Sequence, residues 1–588
     1  MDKKNLTIGA LLFLTAFAIM ILGPHAPQSS PPAPSIGQIA NPLASNPTGS
    51  SAPPAAPADA AFGALETDDT GEKITHLGND FIDVAFTDHG GAIKDVAFLK
   101  YPAKQGRPGP YIFNALHVDP MLALVDFPGL GRDVRYTLVS HSAREVVFRA
   151  VLENRIEVTR RYTIEPDNTK TGDPYQLRHE TVFRNLSGET VPLPTLAVSL
   201  GTAAPPAEVR DYGYYLKAGY SNGSSVDFIS SARSEGGILS FFGLAPLVWK
   251  PIAPVSKFSP IVWASVKNQF FASILTPDEP GMGIDAGGIA LPSSEVGVEG
   301  SVLFNVKPLA PHGEESLGMN FYVGPKEYKR LANADVFKHD QDKLMEFGFF
   351  KIFSQLLLEI MTWVHGWMPN WGFAIIFTTL SIKIIFLPFS FGMARSARRM
   401  QKIQPLLKDI REKYKDNPKK LNEAQLAIFK EHKVNPLAGC VPMLITFPFF
   451  IGFFSMLRGV PEFRFAPFVW WVHDLSAPDT VAYIAGFPIR ILPIVMGVTM
   501  ISQMFFVPQA ANVDKAQLRM MRFMPLMYMA ICYNYSCALS LYSTTNSLFT
   551  ILQQLLINRM KDDGDPTHAS AARAGGKPVK NITPAKKK

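Results

Sequence analysis

The chain has 588 residues, of which 47% are hydrophobic and only 18% are charged. This balance excludes an intrinsically disordered protein, which combines low hydrophobicity with a high density of charge, and the length predicts two or more domains. Three cysteines in such a chain exclude a disulfide scaffold. The net charge is +7, so the placement of the basic residues decides whether they indicate nucleic-acid binding or membrane topology.

The N-terminal segment predicts a membrane anchor followed by a tether. Lys3 and Lys4 precede an apolar run that ends at Leu22, and prolines stand where a signal peptidase would cut. We therefore interpret residues 1–23 as an uncleaved signal-anchor helix with a cytoplasmic N-terminus; a cleaved signal peptide is the alternative. Residues 24–60 are crowded with Pro, Ala and Ser and predict an extended linker.

Residues 61–330 predict a large all-β domain. Short segments rich in β-formers, such as 81–86, 145–151 and 155–164, are separated by clusters of Gly, Pro, Asn and Asp. Many strands at this spacing favour an antiparallel sandwich.

Several titratable residues in this domain could form the acid–base pair of an enzyme. They are His76, Asp83, His89, His179 and Glu180. Nothing in the sequence places them in one cleft, and single histidines on β surfaces are usually structural or solvated. We expect no catalysis here.

Residues 343–367 predict an amphipathic helix that lies in the outer membrane–water interface. Lys351, Gln355 and Glu359 fall largely on its polar side. Its apolar stripe consists of Phe347, Phe350, Phe353, Leu357, Ile360, Val364 and Trp367. A helix packed on the β domain is the alternative.

Apolar stretches in residues 368–560 predict a membrane core. The predicted spans are residues 372–392, residues 436–457, residues 488–507 and two short segments within residues 523–558. One helix over the last stretch would be about 54 Å long, whereas a bilayer core is about 30 Å thick, so we place a turn near Asn534. The outer loop 458–487 carries Trp470 and Trp471, as expected of an interfacial belt. With the anchor, this topology keeps both termini in the cytoplasm.

One charged residue stands deep inside a predicted span. Lys383 lies about half way along residues 372–392, and Thr379 lies one turn earlier on the same face. A central lysine costs roughly 2.5–3.5 kcal/mol in such a helix, so we interpret Lys383 as facing a hydrophilic cavity; snorkelling is the alternative. Further polar residues in the later spans are Thr499, Gln503, Ser540, Ser543, Thr544, Thr545 and Asn546. Those of the last helix line a wet groove or simply hold helices together.

Residues 393–435 predict a cytoplasmic helical hairpin that turns at Asp416-Asn417-Pro418. Apolar Met400, Ile403, Leu407, Ile410 and Tyr414 are expected to face Leu421, Leu426 and Phe429. Its basic residues include Arg398, Arg399, Lys402 and Arg411. Membrane topology explains them better than DNA binding does. The cysteines Cys440, Cys532 and Cys537 lie in apolar stretches and are interpreted as small core residues.

Several motifs of the membrane core occur in the order found in the YidC family of membrane protein insertases. They are residues 435–444 (Asn-Pro-Leu-Ala-Gly-Cys-Val-Pro-Met-Leu), Ala466-Pro467-Phe468, residues 471–476 (Trp-Val-His-Asp-Leu-Ser), residues 492–500 (Leu-Pro-Ile-Val-Met-Gly-Val-Thr-Met), Phe523-Met524-Pro525 and residues 551–554 (Ile-Leu-Gln-Gln). This resemblance covers about residues 365–560. The anchored β domain resembles the Gram-negative form, whose periplasmic domain is a β-supersandwich.

The chain departs from the family pattern at three places. Lys383 stands where Gram-negative members often carry Arg, which keeps the charge but loses the bidentate donors. Tyr535-Ser536-Cys537 replaces a turn that usually resembles Pro-Ser-Gly, and Thr446 replaces a Gln seen in some relatives.

The resemblance implies a multi-domain protein of the bacterial inner membrane, with an α-helical membrane core and a periplasmic β-supersandwich. It implies an insertase and chaperone for membrane proteins, acting alone or with the Sec translocon. The membrane half has neither a nucleotide-binding Gly-rich loop nor a metal-ligand constellation, so we expect no enzymatic activity, cofactor or metal. The implied groove contains Lys383, Thr379, Thr446, Thr499, Gln503, Ser540 and Thr544. The implied partners are nascent membrane proteins, the Sec translocon, the lipid bilayer, the ribosome and components of the signal recognition particle pathway. The basic tail 561–588 touches ribosomal RNA in this interpretation, or it is only a topology signal.

Two other classes of protein are kept as alternatives. A secondary transporter predicts repeated halves with corresponding midplane sites, and the sequence has no convincing internal repeat. A membrane-anchored periplasmic carbohydrate-binding protein or sugar enzyme predicts a functional cleft in the β domain, and leaves the polar membrane helices unexplained.

Overall fold

The computed structural model describes residues 71–559 except 117–118, 126, 128, 133, 165–171, 207–211, 236–247, 293–294, 339, 393–402, 416, 433–440, 485–486 and 507–514. The predicted anchor, linker and basic tail therefore lie outside the described residues. The chain divides into two compact units. The first takes its residues from the chain up to Ala374, from 447–490 and from 530–539; the second takes them from 375–446, from 491–529 and from Ser540 onward.

The first unit contains the predicted β domain. Its strands are β1 (Ile74–Gly78), β2 (Ile82–Thr87), β3 (Ala92–Pro102), β4 (Pro110–Phe113), β5 (Thr137–His141), β6 (Glu145–Leu152), β7 (Ile156–Ile164), β8 (Gln176–Asn185), β9 (Leu196–Ala203), β10 (Lys217–Ser221), β11 (Val226–Ser230), β12 (Ala232–Ser234), β13 (Trp249–Pro251), β14 (Val255–Ile261), β15 (Trp263–Lys267), β16 (Phe271–Pro277), β17 (Gly281–Ala290), β18 (Val296–Phe304) and β19 (Glu314–Pro325).

These strands pair antiparallel in a large sheet and several smaller ones. The large sheet has nine strands in the order β11-β10-β15-β16-β19-β8-β7-β6-β5, and the two next in size are β1-β2-β3-β4 and β14-β17-β18-β9. Along β7 every second residue is buried, the period of a strand with one covered face. Strand β9 is buried along its whole length and lies against β15 and β16 of the large sheet. The predicted β-sandwich is confirmed.

A short helix α1 (Tyr328–Leu331), a 3-10 turn (Gln341–Met345) and helix α2 (Lys351–Trp367) follow the sandwich. Helix α2 begins later than the predicted start at residue 343. The physical reason is the backbone before it, because Glu346 and Gly348 have φ values of 51° and 70°, which no right-handed helix contains.

One face of α2 is covered by protein, and whether the predicted stripe lies in the membrane interface stays a prediction. Ser354, Leu357, Leu358 and Met361 are buried, whereas Trp367 is exposed. The side chains of α2 sort in this way because it packs on helix α6 (Val441–Gly459), where Ser354 Oγ donates to the Gly452 carbonyl at 3.0 Å.

The remaining helices and strands complete both units. They are α3 (Trp371–Ile385), α4 (Gln404–Lys413), α5 (Pro418–Glu431), α6, the 3-10 turn Pro461–Phe463, β20 (Thr480–Ile484), β21 (Phe487–Arg490), α7 (Ile491–Phe506), α8 (Lys515–Cys532) and α9 (Cys537–Arg559). Residues 533–536 separate α8 from α9, at the turn predicted near Asn534. The anchor and five membrane spans stay a prediction.

None of the helices among the described residues is both long and apolar enough to cross a membrane.

The loop that follows α6 is bound to the β-sandwich within the first unit. The Arg464 guanidinium donates to the carbonyls of Pro102 and Ala103 at 2.6 and 3.1 Å and lies over the rings of Tyr111 and Phe271. These contacts tie the loop to the end of β3 and to its neighbours.

The helical hairpin lies in the second unit. The Asn417 side chain accepts a hydrogen bond from the Lys420 amide at 3.1 Å and Pro418 occupies the first turn of α5, which is the usual chemistry of a helix start. Ile403, Leu407 and Ile428 form the core between α4 and α5, with Ile410 and Phe429 packed on it. Leu426, predicted to face this core, is exposed, because Ile428 occupies the inner face of α5.

Candidate functional site

A face of hydroxyl side chains runs along α9 in the second unit. Ser540, Ser543, Thr544, Ser547 and Thr550 recur at intervals of three and four residues, which places them on one side of a helix. The first four are buried. Hydroxyls on a covered helix face either hydrogen-bond to neighbouring helices, as Ser543 does with Tyr528 at 3.3 Å, or contact something polar.

Lys383 on α3 contacts this hydroxyl face. Its ammonium donates to Thr550 Oγ1 at 3.1 Å, and the Thr550 hydroxyl in turn donates to the carbonyl of Asn546 at 2.7 Å. The Lys383 side chain is half-buried. Within the described residues, Lys383 forms no salt bridge with a carboxylate, and Thr550 is its hydrogen-bond partner. Among the described residues, the charge of Lys383 is therefore matched by a neutral hydroxyl and not by a carboxylate.

Three hydroxyls in the same unit are buried without a partner. Thr378 Oγ1, Ser540 Oγ and Thr544 Oγ1 have no hydrogen bond within the described part of the chain. A buried polar group left unsatisfied costs about 1–3 kcal/mol. Such groups call for an explanation, and water or a polar ligand beside them is the simplest one.

For the other predicted groove residues, the structure shows contacts within their own helices or describes no side-chain contact. The Thr379 hydroxyl is buried and donates to the Ile375 carbonyl of its own helix at 2.7 Å. Thr499 does the same on α7 with the carbonyl of Met496 at 2.8 Å, and Gln503 is half-buried there. Thr446 lies in α6, and its side chain is outside the described residues. Membership of these residues in a single groove stays a prediction.

Three residues of this site, Thr378, Ser547 and Thr550, were not singled out from the sequence. Thr378 was overlooked because it neighbours Thr379, and only its burial without a partner distinguishes it. Thr550 continues the spacing that starts at Ser540 and Ser543, and this regular interval was the signal that could have found it. Thr545, which the sequence grouped with the polar series, instead donates to the Leu541 carbonyl at 2.9 Å.

The basic residues of the hairpin are only partly described. Arg411 is exposed on α4. Arg398, Arg399 and Lys402 lie outside the described residues. Two of the three cysteines, Cys532 and Cys537, are buried as predicted, and Cys440 is outside the described residues.

The titratable residues of the sandwich are not gathered into one site. His76 and Asp83 form an exposed pair with Nδ1 and Oδ2 3.1 Å apart, on β1 and β2. His179 lies on β8 of the large sheet, fully buried beside Arg160. Burial and the charge of Arg160 lower the pKa of His179 well below its ordinary value. A histidine held neutral inside the sandwich has a structural role.

A cluster of buried charges in the first unit lies where the sandwich meets the segment before α2. The Glu346 carboxylate binds the ammonium groups of Lys217, at 2.6 Å, and of Lys267. Both lysines are buried. Burial alone would raise the pKa of Glu346, but the two lysines hold it well below its ordinary value. The cluster fixes the position of this segment.

Comparison with known proteins assigns both parts of the chain. Residues 75–360 match the family model described as the YidC periplasmic domain, and residues 363–564 match the model described as the 60Kd inner membrane protein. A β-sandwich of the first kind joined to a helical part of the second kind defines a bacterial inner-membrane protein with a periplasmic domain.

Individual relatives specify the family. The chain is 31% identical over 428 residues to the membrane protein insertase YidC of Syntrophobacter fumaroxidans, covering 71% of each chain. It is 28% identical over 507 residues to the YidC of Coxiella burnetii, covering 83% of each. A crystal structure of an active YidC insertase with its first transmembrane domain resolved aligns with 85% of this chain and 96% of its own, at 18% identity and a TM-score of 0.33. This chain belongs to the YidC family of membrane protein insertases.

Proposed function

We propose that this protein inserts and helps fold inner-membrane proteins, alone or with the Sec translocon, through a hydrophilic groove with Lys383 as its single intramembrane positive charge. Family membership supports the insertion of membrane proteins. The observation that carries the groove is the contact of Lys383 with Thr550, on a helix face where Ser540 and Thr544 are buried and unpartnered.

The proposed placement in the membrane follows the charge distribution of the sequence. Residues 1–23 form the anchor, residues 24–60 the linker, residues 61–330 the periplasmic domain and residues 368–560 the membrane core. The termini and the hairpin 393–435 are cytoplasmic. On α2, the exposed apolar side chains Ile352, Trp363 and Trp367 lie in the outer interface, where tryptophan is favoured.

The groove lowers the cost of moving a polar tail across the bilayer. Thr378, Ser540 and Thr544 supply hydrogen-bonding capacity that the described residues leave unused, so a hydrated tail loses less solvation there than in hydrocarbon. Lys383 attracts acidic residues of the tail. The membrane potential then draws each negative charge outward with about 2.3 kcal/mol per 100 mV. Partition of the apolar segment into lipid completes the transfer, and no chemical reaction or cofactor takes part.

The cytoplasmic hairpin receives the nascent chain or a targeting partner in this proposal. Helices α4 and α5 enclose only a small core around Leu407, and their outer surfaces carry exposed charges, including Arg411. Such a surface suits electrostatic contact with the ribosome or the signal recognition particle pathway. The basic tail, residues 561–588, adds positive charge that favours contact with ribosomal RNA.

The test is rescue of insertion in cells depleted of the native protein. The substrate is a short membrane protein with an acidic periplasmic tail, and a second version has that tail neutralised. Wild type and Lys383→Arg are expected to rescue both, whereas Lys383→Ala loses most insertion of the acidic tail and less of the neutral one. Thr550→Val is expected to give partial rescue, because the charge remains but its partner is lost. Thr545→Val is the matched control, because its hydroxyl bonds only to its own helix backbone.

The outcomes separate the elements of the proposal. Equal rescue by Lys383→Ala would remove the charge from the mechanism and leave the hydroxyl-lined face. Equal loss of the acidic and neutral substrates would contradict the attraction of acidic residues. Failure of the folded wild type to rescue would contradict insertion itself.

A further inference from the structure

The loop between α6 and α7 contains an exposed β-hairpin that carries no charge. Strands β20 and β21 pair antiparallel, with Ile484 opposite Phe487 and Tyr483 opposite Pro488. Residues 480–489 contain no Asp, Glu, Lys, Arg or His. Tyr483 is 67% exposed and Ile484 is 65% exposed, and Val481 and Phe487 are also exposed.

Such a hairpin is unsuited to water. An isolated two-stranded hairpin is marginally stable at best, and its unpaired edges invite aggregation unless charges protect them. Scattered apolar residues on a surface are normal, but a continuous uncharged patch marks a place where something binds.

The base of the hairpin is held rigidly, so its exposure is built into the fold. Arg490 is buried and donates to Thr480 Oγ1 across the strands at 3.1 Å and to the Tyr533 carbonyl at 2.5 Å. Tyr533 donates to the Pro488 carbonyl and stacks on Phe487 with the ring centroids 5.5 Å apart. On the other side, Trp471 Nε1 donates to Asp479, the residue before β20, at 3.0 Å.

We infer that this hairpin, through Tyr483, Ile484 and Phe487, docks into the outer interfacial layer of the lipid bilayer. Three observations select lipid over a protein partner. The patch has no charge with which to orient a protein partner. Strand β21 ends at Arg490 and the apolar helix α7 begins at the next residue, without a linker. Trp470, which is 82% exposed and stacks on Trp471, extends the patch with the residue type that interfaces favour.

The backbone sets the depth of the hairpin. Each strand has one edge whose N–H and C=O groups face away from its partner. In hydrocarbon these groups would remain unsatisfied, whereas water and lipid headgroups satisfy them in the interface. The hairpin therefore lies shallow, with its side chains reaching toward the acyl chains.

The inference depends on the membrane placement proposed above but not on the groove. Purified full-length protein, with its native cysteines replaced by alanine and insertion activity retained, is reconstituted in vesicles of phosphatidylethanolamine and phosphatidylglycerol. A spin label is attached at Ile484→Cys or Tyr483→Cys, and its relaxation by oxygen and by a water-soluble nickel chelate is measured. Phe258→Cys is the matched control, because Phe258 is an apolar strand residue of the sandwich that is 66% exposed. Val498→Cys on α7 reports the membrane placement itself.

At Ile484 and Tyr483 oxygen is expected to relax the label severalfold more than nickel does, with a smaller preference than at Val498 and the opposite preference at Phe258. A label at Ile484 that behaves like the label at Phe258 would overturn the inference. Protection from both reagents would also overturn it, because protein rather than lipid would then cover the hairpin. Loss of the oxygen preference at Val498 would contradict the membrane placement instead.

Discussion

The Lys217 ammonium lies 2.6 Å from the Glu346 carboxylate, although the two residues are 129 positions apart in the chain. Lys217 begins β10, the strand next to the edge strand β11 of the large sheet, and Glu346 belongs to the segment that leads into α2. Lys267, on the neighbouring strand β15, binds the same carboxylate. One acidic side chain thus compensates two buried cations and fixes where the helix after the sandwich begins.

Glu346→Gln is expected to lower the free energy of unfolding by about 3–5 kcal/mol, the usual cost of leaving a buried charge without its partner. Chemical denaturation of the full-length protein in detergent, followed by tryptophan fluorescence, measures this. Glu235→Gln is the control, because Glu235 pairs with Lys250 on the surface and such pairs contribute about 0–1 kcal/mol. Similar losses for both variants would contradict the role of the buried cluster.

The same cluster predicts a pH dependence with a defined sign. The lysines hold the pKa of Glu346 well below its ordinary value against the effect of burial. A depressed carboxyl pKa contributes stability above the unfolded pKa, and this stability is lost only as the pH falls toward the folded pKa. The difference between wild type and Glu346→Gln is therefore expected to persist at mildly acidic pH and to shrink in strong acid.

Glu462 is expected to act in the opposite direction. Its side chain is half-buried, but its Oε2 atom is buried without a hydrogen bond among the described residues. Burial, and next the charge of Glu327, raise its pKa from 4.5 to about 8. The folded state then binds more protons than the unfolded state between these values, so stability falls as the pH rises through this window.

The measurement for Glu462 is the pH profile of the unfolding midpoint. Glu462→Gln should flatten the decline across this window, because the amide keeps the shape of the neutral carboxyl without titrating. Glu279→Gln, at an exposed position, should leave the wild-type slope unchanged. A Glu462→Gln profile that declines like wild type would show that another group is responsible.

Alanine substitutions at Gly372 and Gly366 are expected to change the free energy of unfolding in opposite directions. A Cβ atom on Gly372 would lie 2.1 to 2.8 Å from Cδ2, Cγ and Cβ of Phe468, so Gly372→Ala must displace that ring and should cost about 1–3 kcal/mol. A Cβ on Gly366, inside α2, meets nothing within 4 Å, and Gly366→Ala should stabilise by about 0.4–1 kcal/mol. Unfolding midpoints that move in the same direction would contradict the packing of α3 on Phe468.

The parts of the fold that could be predicted from the sequence are those determined by residues close together in the chain. The period of two in β7, the Asn417-Pro418 helix start and the turn near Asn534 each depend on a few neighbouring residues. The predicted start of α2 was wrong because the backbone at Glu346 is left-handed, and the side chain of this residue pairs with lysines far away in the chain. The contact of α2 with Gly452 could not be predicted from the sequence for a similar reason, since 98 positions separate Ser354 from Gly452.

The candidate site shows the same division. The charge of Lys383 in an apolar stretch was visible without any structure, because its cost is intrinsic to the residue. Its contact with Thr550 was not, because 167 positions separate them. The unpartnered state of Thr378 and Ser540 depends on everything around them, and no local pattern encodes it.

The hydrogen bonds of Arg464 to the sandwich have a mechanical consequence. Its guanidinium holds the carbonyls of Pro102 and Ala103, and Gln105 adds a hydrogen bond to the His473 carbonyl at 2.5 Å. A pulling force on the sandwich would therefore reach the loop after α6 directly through these bonds. The covalent connection between them, through α1 and α2, is much longer. A displacement of the sandwich is therefore expected to move this loop directly.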